Sequence, residues 1–196
     1  MCAFDRLHPA LQHQVVNALG WKSLRRVQEL AIDAANEGSN LLILAATAGG
    51  KTEAAFFPMI SRALAQPWDG LAVLYVSPIK ALLNNQHERL ERYYGLVGRR
   101  AAVWHGDVPA AARRRLRDEP PDCLLTTPES LEGMLVSGSV RHDRLFAYIR
   151  AVVVDEVHAF GRDDRGWHLL ALLQRIGRLA GRDVQRIGLS ATVGNE

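Results

Sequence analysis

The chain has 196 residues, 48% of them hydrophobic, and a formal net charge of +3, which suits one sizeable folded domain and an anionic partner such as nucleic acid without demanding one. No apolar stretch approaches the ~20 residues that a bilayer crossing needs, and the start through Pro9 lacks the basic-then-apolar order of a secretory signal, so a cytoplasmic protein with no membrane partner is expected. The two cysteines, Cys2 and Cys123, stand far apart without the paired spacing of zinc or redox sites and read as reduced structural thiols.

After Pro9, the apolar residues Leu11, Val15, Val16 and Leu19 fall at helical spacing, and Leu24, Val27, Leu30, Ala31 and Ala34 repeat the pattern before Gly38. Short apolar runs then read as strands: Leu41 to Ala46, Leu71 to Val76, Ala101 to Trp104, Cys123 to Thr126, Ala151 to Val154 and Val184 to Leu189. Helices fill the intervals. Continuous apolar runs imply strands buried on both faces, and strand-helix alternation implies a mostly parallel sheet, giving a three-layer α/β architecture. Pro120-Pro121 breaks a helix before the next strand, and Arg113 to Arg115 read first as a solvated helix face. The expected organisation is an N-terminal helical segment over 1–38 followed by one continuous domain over 39–196.

Between the first predicted strand and the next helix lies Ala45, Ala46, Thr47, Ala48, Gly49, Gly50, Lys51, Thr52. Glycine lets such a turn aim successive N–H groups at phosphate oxygens, and the following helix N-terminus adds partial positive charge. Thr47 to Thr52 would therefore hold a nucleotide, Lys51 reaching the β and γ phosphates and Thr52 ligating Mg²⁺. Arginine replaces lysine nearly everywhere in this chain, yet Lys51 remains a lysine, where a compact charge suits a phosphate. Far downstream, Asp155 and Glu156 emerge from the apolar run Ala151 to Val154, at the carboxyl end of a strand where open α/β sheets place their ligand crevice. Asp155 can hold Mg²⁺ and Glu156 can deprotonate an attacking water, so ATP hydrolysis leads.

These residues resemble superfamily 2 helicases of the DEAD/DEAH-box type. Asp155-Glu156-Val157-His158 looks like the DExH form of the signature, Ser190-Ala191-Thr192 like motif III, Ser77-Pro78-Ile79-Lys80-Ala81-Leu82 like motif Ia, and Thr127-Pro128-Glu129-Ser130-Leu131 like motif Ib. Gln28, preceded by Gly20-Trp21, resembles the adenine-recognising Q motif, with Trp21 as the aromatic residue near the base and Leu24 and Arg25 replacing its usual Pro-Thr pair. Arg165-Gly166, His168-Leu169, the run Gln185 to Gly194 and His105-Gly106-Asp107 followed by Arg113-Arg114 look like the Lhr (large helicase-related) branch.

The resemblance implies a RecA-like P-loop NTPase domain that couples ATP hydrolysis to movement on nucleic acid, DNA in preference to RNA, in repair or defence. It implies that Ser77, Pro78, Lys80, Gly106, Asp107, Thr127, Pro128 and Glu129 grip a strand's phosphate backbone, and that His158, Ser190 and Thr192 couple this face to hydrolysis. A second RecA-like domain, absent from this chain, would supply transition-state arginines, so weak hydrolysis and no unwinding are expected of these residues alone. Two alternatives stand beside it: a nucleotide-gated module that clamps nucleic acid or protein without productive hydrolysis, and a double-strand translocase of a remodelling or restriction system. The rest of the protein would discriminate among them.

Overall fold

Six strands, β1 Leu41–Leu44, β2 Val73–Val76, β3 Ala101–Trp104, β4 Cys123–Thr126, β5 Ala151–Val154 and β6 Gln185–Ser190, form one sheet in the order β1-β6-β5-β2-β4-β3. Every pairing in it is parallel. The structure is a computed structural model and describes residues 2–161 and 164–191. Side chains alternate across the central strands as the pleat requires. Tyr75, Leu125, Val153 and Ile187 enter one apolar cluster, while Leu74, Leu124, Val152 and Val154 enter the other.

The first cluster is closed by helices α1 Pro9–Asn17, α2 Arg26–Asn36, α3 Lys51–Ala65 and α4 Lys80–Gly95. Leu11, Val15, Ile32 and Ala35 join Phe57 and Ile60 there, so the first two helices share a core with the sheet. On the opposite face lie α6 Pro128–Val136, α7 His142–Leu145 and α8 Asp164–Ala180, through Leu131, Met134, Phe146, Leu172 and Ile176. Helix α5, Ala110–Asp118, has no buried residue, and it ends before Pro120-Pro121 as its sequence predicts. The three-layer α/β sandwich expected from the sequence is therefore present. α3 is apolar around nearly its whole circumference because it is wedged between the sheet and α2.

Three strand limits differ from the sequence reading. β1 ends at Leu44, not Ala46, because the chain turns into the glycine loop, where Gly49 N–H donates to the Ala46 carbonyl at 2.9 Å. β2 begins at Val73 rather than Leu71, since Ala72 and Val73 N–H groups converge on the single Asp122 carbonyl. β6 runs one residue later, Gln185 to Ser190, its first N–H donating to the Arg150 carbonyl. Burial on both faces also fails for β1: Leu42 and Leu44 are 62% and 54% exposed, because β1 is an edge strand that no described helix covers on that face.

Candidate nucleotide site and nucleic-acid face

The loop after β1 enters α3 at Lys51, with Gly50 as the N-cap in a left-handed conformation, φ +89°. Ala48 is also left-handed at φ +59°, which costs a non-glycine residue about 1–2 kcal/mol, and its carbonyl is held by the Arg25 guanidinium. Gln28 is fully buried; its Oε1 accepts from the Arg25 N–H at 2.9 Å and its Nε2 donates to the Gly50 carbonyl at 3.3 Å. The start of α2 thus grips the loop from behind at two carbonyls. The Trp21 indole packs on Phe57 at 5.5 Å between ring centroids and beside the apolar cluster.

A Cβ at Gly50 would lie 2.5 Å from Gln28 Nε2, and burial leaves that amide no room to retreat. Gly50→Ala should therefore destabilise by about 2–4 kcal/mol, combining left-handed strain with the collision. Urea unfolding monitored by circular dichroism reads this directly, and a loss under about 0.5 kcal/mol would mean that the loop relaxes freely.

Lys51 Nζ donates to the Ala45 and Ala46 carbonyls at 2.7 and 3.2 Å, so its ammonium is folded onto the loop it would share with phosphates. Thr52 is buried at the first turn of α3, and its hydroxyl donates to Gln86 Oε1 at 3.3 Å. Thr47 and Ala48 are exposed, and Gly49 has no space for a side chain because its Cβ would meet the Ala46 carbonyl oxygen at 2.7 Å.

Two strands away along the same edge of the sheet, Asp155 follows β5. It is nearly buried and accepts from the Tyr75 hydroxyl on one oxygen and from the Glu156 N–H on the other, the latter at 3.0 Å. Burial, then the Asp155 charge and hydrogen bond, push the Tyr75 hydroxyl far above its usual range, so it remains a donor. Among the described residues no three His, Cys, Asp or Glu side chains cluster to chelate a metal unaided. One hydroxyl and one carboxylate fit Mg²⁺, which keeps several waters and takes further oxygens from substrate phosphates.

Glu156 adopts φ +47°, an uncommon conformation for a glutamate, of the kind that persists where surrounding structure holds it. Its carboxylate lies 3.3 Å from His158 Nδ1, which in turn lies 3.0 Å from Ser190 Oγ. Ser190 donates its hydroxyl to the Ala191 carbonyl at 3.1 Å, so it accepts from the histidine and the proton is assigned to Nδ1. A chain of contacts therefore runs from Glu156 through His158 to the end of β6. Thr192 lies outside the described residues.

The remaining expected contacts follow β2, β3 and β4. Pro78, Lys80, Gly106, Thr127 and Glu129 border one open cavity of about 580 Å³, and Ser77 is fully buried. Lys80 Nζ bonds both Asp107 oxygens at 2.9 Å and holds that carboxyl below its usual range. Thr127 caps α6, accepting from the Ser130 N–H, with Pro128 in the first turn. Arg165, at the start of α8, donates to the Pro78 carbonyl at 2.8 Å and to Glu129 at 3.0 Å, tying two of these loops together. Burial raises the Glu129 pKa, but its own N–H, Thr127 and Arg165 outweigh that and leave it lowered.

For several of these residues the sequence does not show the partner. Arg25, Tyr75, Gln86 and Arg165 reach their partners across the fold. A tyrosine within an otherwise apolar strand was the one available hint, since a buried hydroxyl needs a partner. Glu53 is similar: buried beside Thr52, it pairs with Arg89 and accepts from Tyr93 at 2.6 Å, which clamps α4 to α3. At Gly166 a Cβ would lie 2.2 Å from the Phe160 carbonyl oxygen, so α8 can approach the segment after β5 only through glycine.

Known proteins with similar sequence and shape share this arrangement of elements. The DEAD/DEAH box helicase family model matches residues 25–196. The Lhr helicase/probable uracil glycosylase of Mycolicibacterium smegmatis is 41% identical over 178 residues, 83% of this chain and 12% of that protein. The ATP-dependent helicase Lhr-Core of Methanothermobacter thermautotrophicus is 37% identical over 85% of this chain and 21% of its own length. Among solved structures, Mycobacterium smegmatis Lhr bound to ssDNA and AMP-PNP superposes with a TM-score of 0.85 at 38% identity, covering 98% of this chain and 26% of that one. The chain thus spans about a fifth or less of these curated relatives. With a family model over residues 25–196 and relatives of 37–41% identity across most of its length, the chain belongs to the DEAD/DEAH box helicase family, and Lhr helicases are among its relatives.

Proposed function

We propose that this chain is the nucleotide-binding domain of an ATP-driven motor on nucleic acid, working in the cytoplasm on DNA in preference to RNA, together with a second RecA-like domain. The observation that carries it is the shared edge of the sheet: the phosphate loop, Asp155-Glu156 and Ser190 follow β1, β5 and β6, and the loops after β2, β3 and β4 continue the same edge. ATP would lie with its phosphates against the N–H groups of 48–52, Lys51 turning from the loop carbonyls to the β and γ phosphates. Thr52 and Asp155 would hold Mg²⁺, which when bound neutralises charge on the phosphate oxygens.

Glu156 then accepts a proton from water as its oxygen bonds to the γ-phosphorus and the bond to the β-phosphate oxygen breaks. Tyr75 and the Glu156 N–H orient the Asp155 carboxylate, and His158 reports the position of Glu156 to β6. On the neighbouring loops Lys80 and the α6 N-terminus would contact phosphates, which positions a strand without reading its sequence. The relative resolved with ssDNA and AMP-PNP supports both ligands.

The decisive measurement is ATP hydrolysis, with and without single-stranded DNA, by the protein that carries both RecA-like domains. Lys80→Ala should leave unstimulated hydrolysis unchanged, remove most of the stimulation and lower the salt slope of DNA binding by about 0.7. Full stimulation with an unaltered slope would remove this loop from the nucleic-acid face.

A further inference from the structure

The amino ends of the strands, opposite the nucleotide, carry a second concentration of charge. Arg62, Arg150, Arg178, Arg182 and Arg186 line one open groove of about 880 Å³, with Asp183 as its only acidic residue. It lies where β1, β5 and β6 begin and where α2 and α8 end. Four-residue strands separate it from the phosphate loop by roughly 13 Å, beyond the ~8 Å screening length of physiological salt.

The charge is unusually uncompensated. Among the described residues none of these five arginines, nor Asp183, forms an ion pair. The C-termini of α2, α8 and α3, whose last turn holds Arg62, contribute about −0.5 each. With Asp183 they offset about half of the five positive charges, leaving roughly +2.5 in the groove. Five arginines less one aspartate make +4, against +3 for the whole chain, so all other residues together carry −1. Arg62 is held in place by Gln185 Oε1 at 2.7 Å and by the Trp68 ring at 5.0 Å. Burial and Arg150 lower its pKa, as burial and Arg182 lower that of Arg150, so the row repels itself.

A polyanion relieves that repulsion, and planar guanidinium forks match phosphate oxygens. The apolar lining is limited to Leu173 and Val184 beside the stems of the arginines, without an aromatic anchor of the kind that protein interfaces use. We propose that this groove is a second nucleic-acid site, which holds the phosphodiester backbone of a strand or duplex at the edge of the sheet opposite the ATP site. It rests on nucleic acid being the partner, as in the function proposed above.

Arg178, Arg182 and Arg186 are exposed, so the triple replacement by glutamine should fold with an unchanged unfolding midpoint. Binding of a labelled single-stranded oligonucleotide, followed by anisotropy across a salt series, should lose about 2 units of salt slope, roughly 0.7 per arginine. Unstimulated ATP hydrolysis should not change. Arg186→Gln alone should lose about 0.7. An unchanged slope in the triple variant, while Lys80→Ala still lowers it, overturns the groove and leaves the proposed function standing. If the wild-type chain binds neither oligonucleotide nor duplex, both fall. Tighter binding of a poly-glutamate peptide than of the oligonucleotide, lost in the triple variant, overturns the proposal in favour of an acidic protein segment.

Discussion

Glu156→Gln is expected to leave ATP bound and to lower its hydrolysis by about 10²–10⁴-fold, the range that a positioned general base contributes. Glutamine keeps the shape of the side chain and loses only the capacity to take a proton. The left-handed backbone at Glu156 fixes where that side chain starts, and the contact with His158 Nδ1 at 3.3 Å fixes where it ends. An amide can still accept from that ring nitrogen, so the link through His158 to Ser190 should survive. Single-turnover hydrolysis by the full-length protein, measured beside equilibrium nucleotide binding, separates the two effects. Hydrolysis at the normal rate would exclude Glu156 as the base.

Lys51→Ala should weaken nucleotide binding by at least about tenfold, since hydrogen bonds from a charged group contribute about 1.5–3 kcal/mol. The ammonium already rests on the Ala45 and Ala46 carbonyls, so a short rotation of its flexible stem brings it to a phosphate. Those carbonyls sit in an open loop where water can replace the lysine, and the unfolding midpoint should therefore move little. Titration with ATP and Mg²⁺ by calorimetry gives the affinity. Unchanged affinity would mean that the loop's N–H groups alone hold the phosphates.

The motifs were legible because each is a local device. A glycine turn between a strand and a helix, and two acids at the end of an apolar run, are written in consecutive residues, as at Gly49 to Thr52 and Asp155-Glu156. At Gln28 the motif was legible and its contacts were not. Its spacing after Trp21 resembles an adenine site, and only the fold shows that its amide is bonded to Arg25 and Gly50 and that Trp21 packs on Phe57. Contacts between Arg165 and the loops after β2 and β4 were hidden because they join residues 87 and 36 positions apart. The arginine groove was hidden for the same reason: its members come from α3, α8, β6 and the turns before β5 and β6.

By itself the sequence determined the order of elements, the three layers and the residue types of the glycine loop and acid pair. Those follow from hydrophobic period and turn chemistry, which act over a few residues. Only the tertiary structure decided which of these residues meet. Placing β6 between β1 and β5 sets Ser190 beside His158, and pairing β2 with β5 sets Tyr75 against Asp155, 80 residues away. Strand order is settled by how crossover helices pack on a twisted sheet, an interaction of whole faces, and no local pattern encodes its outcome.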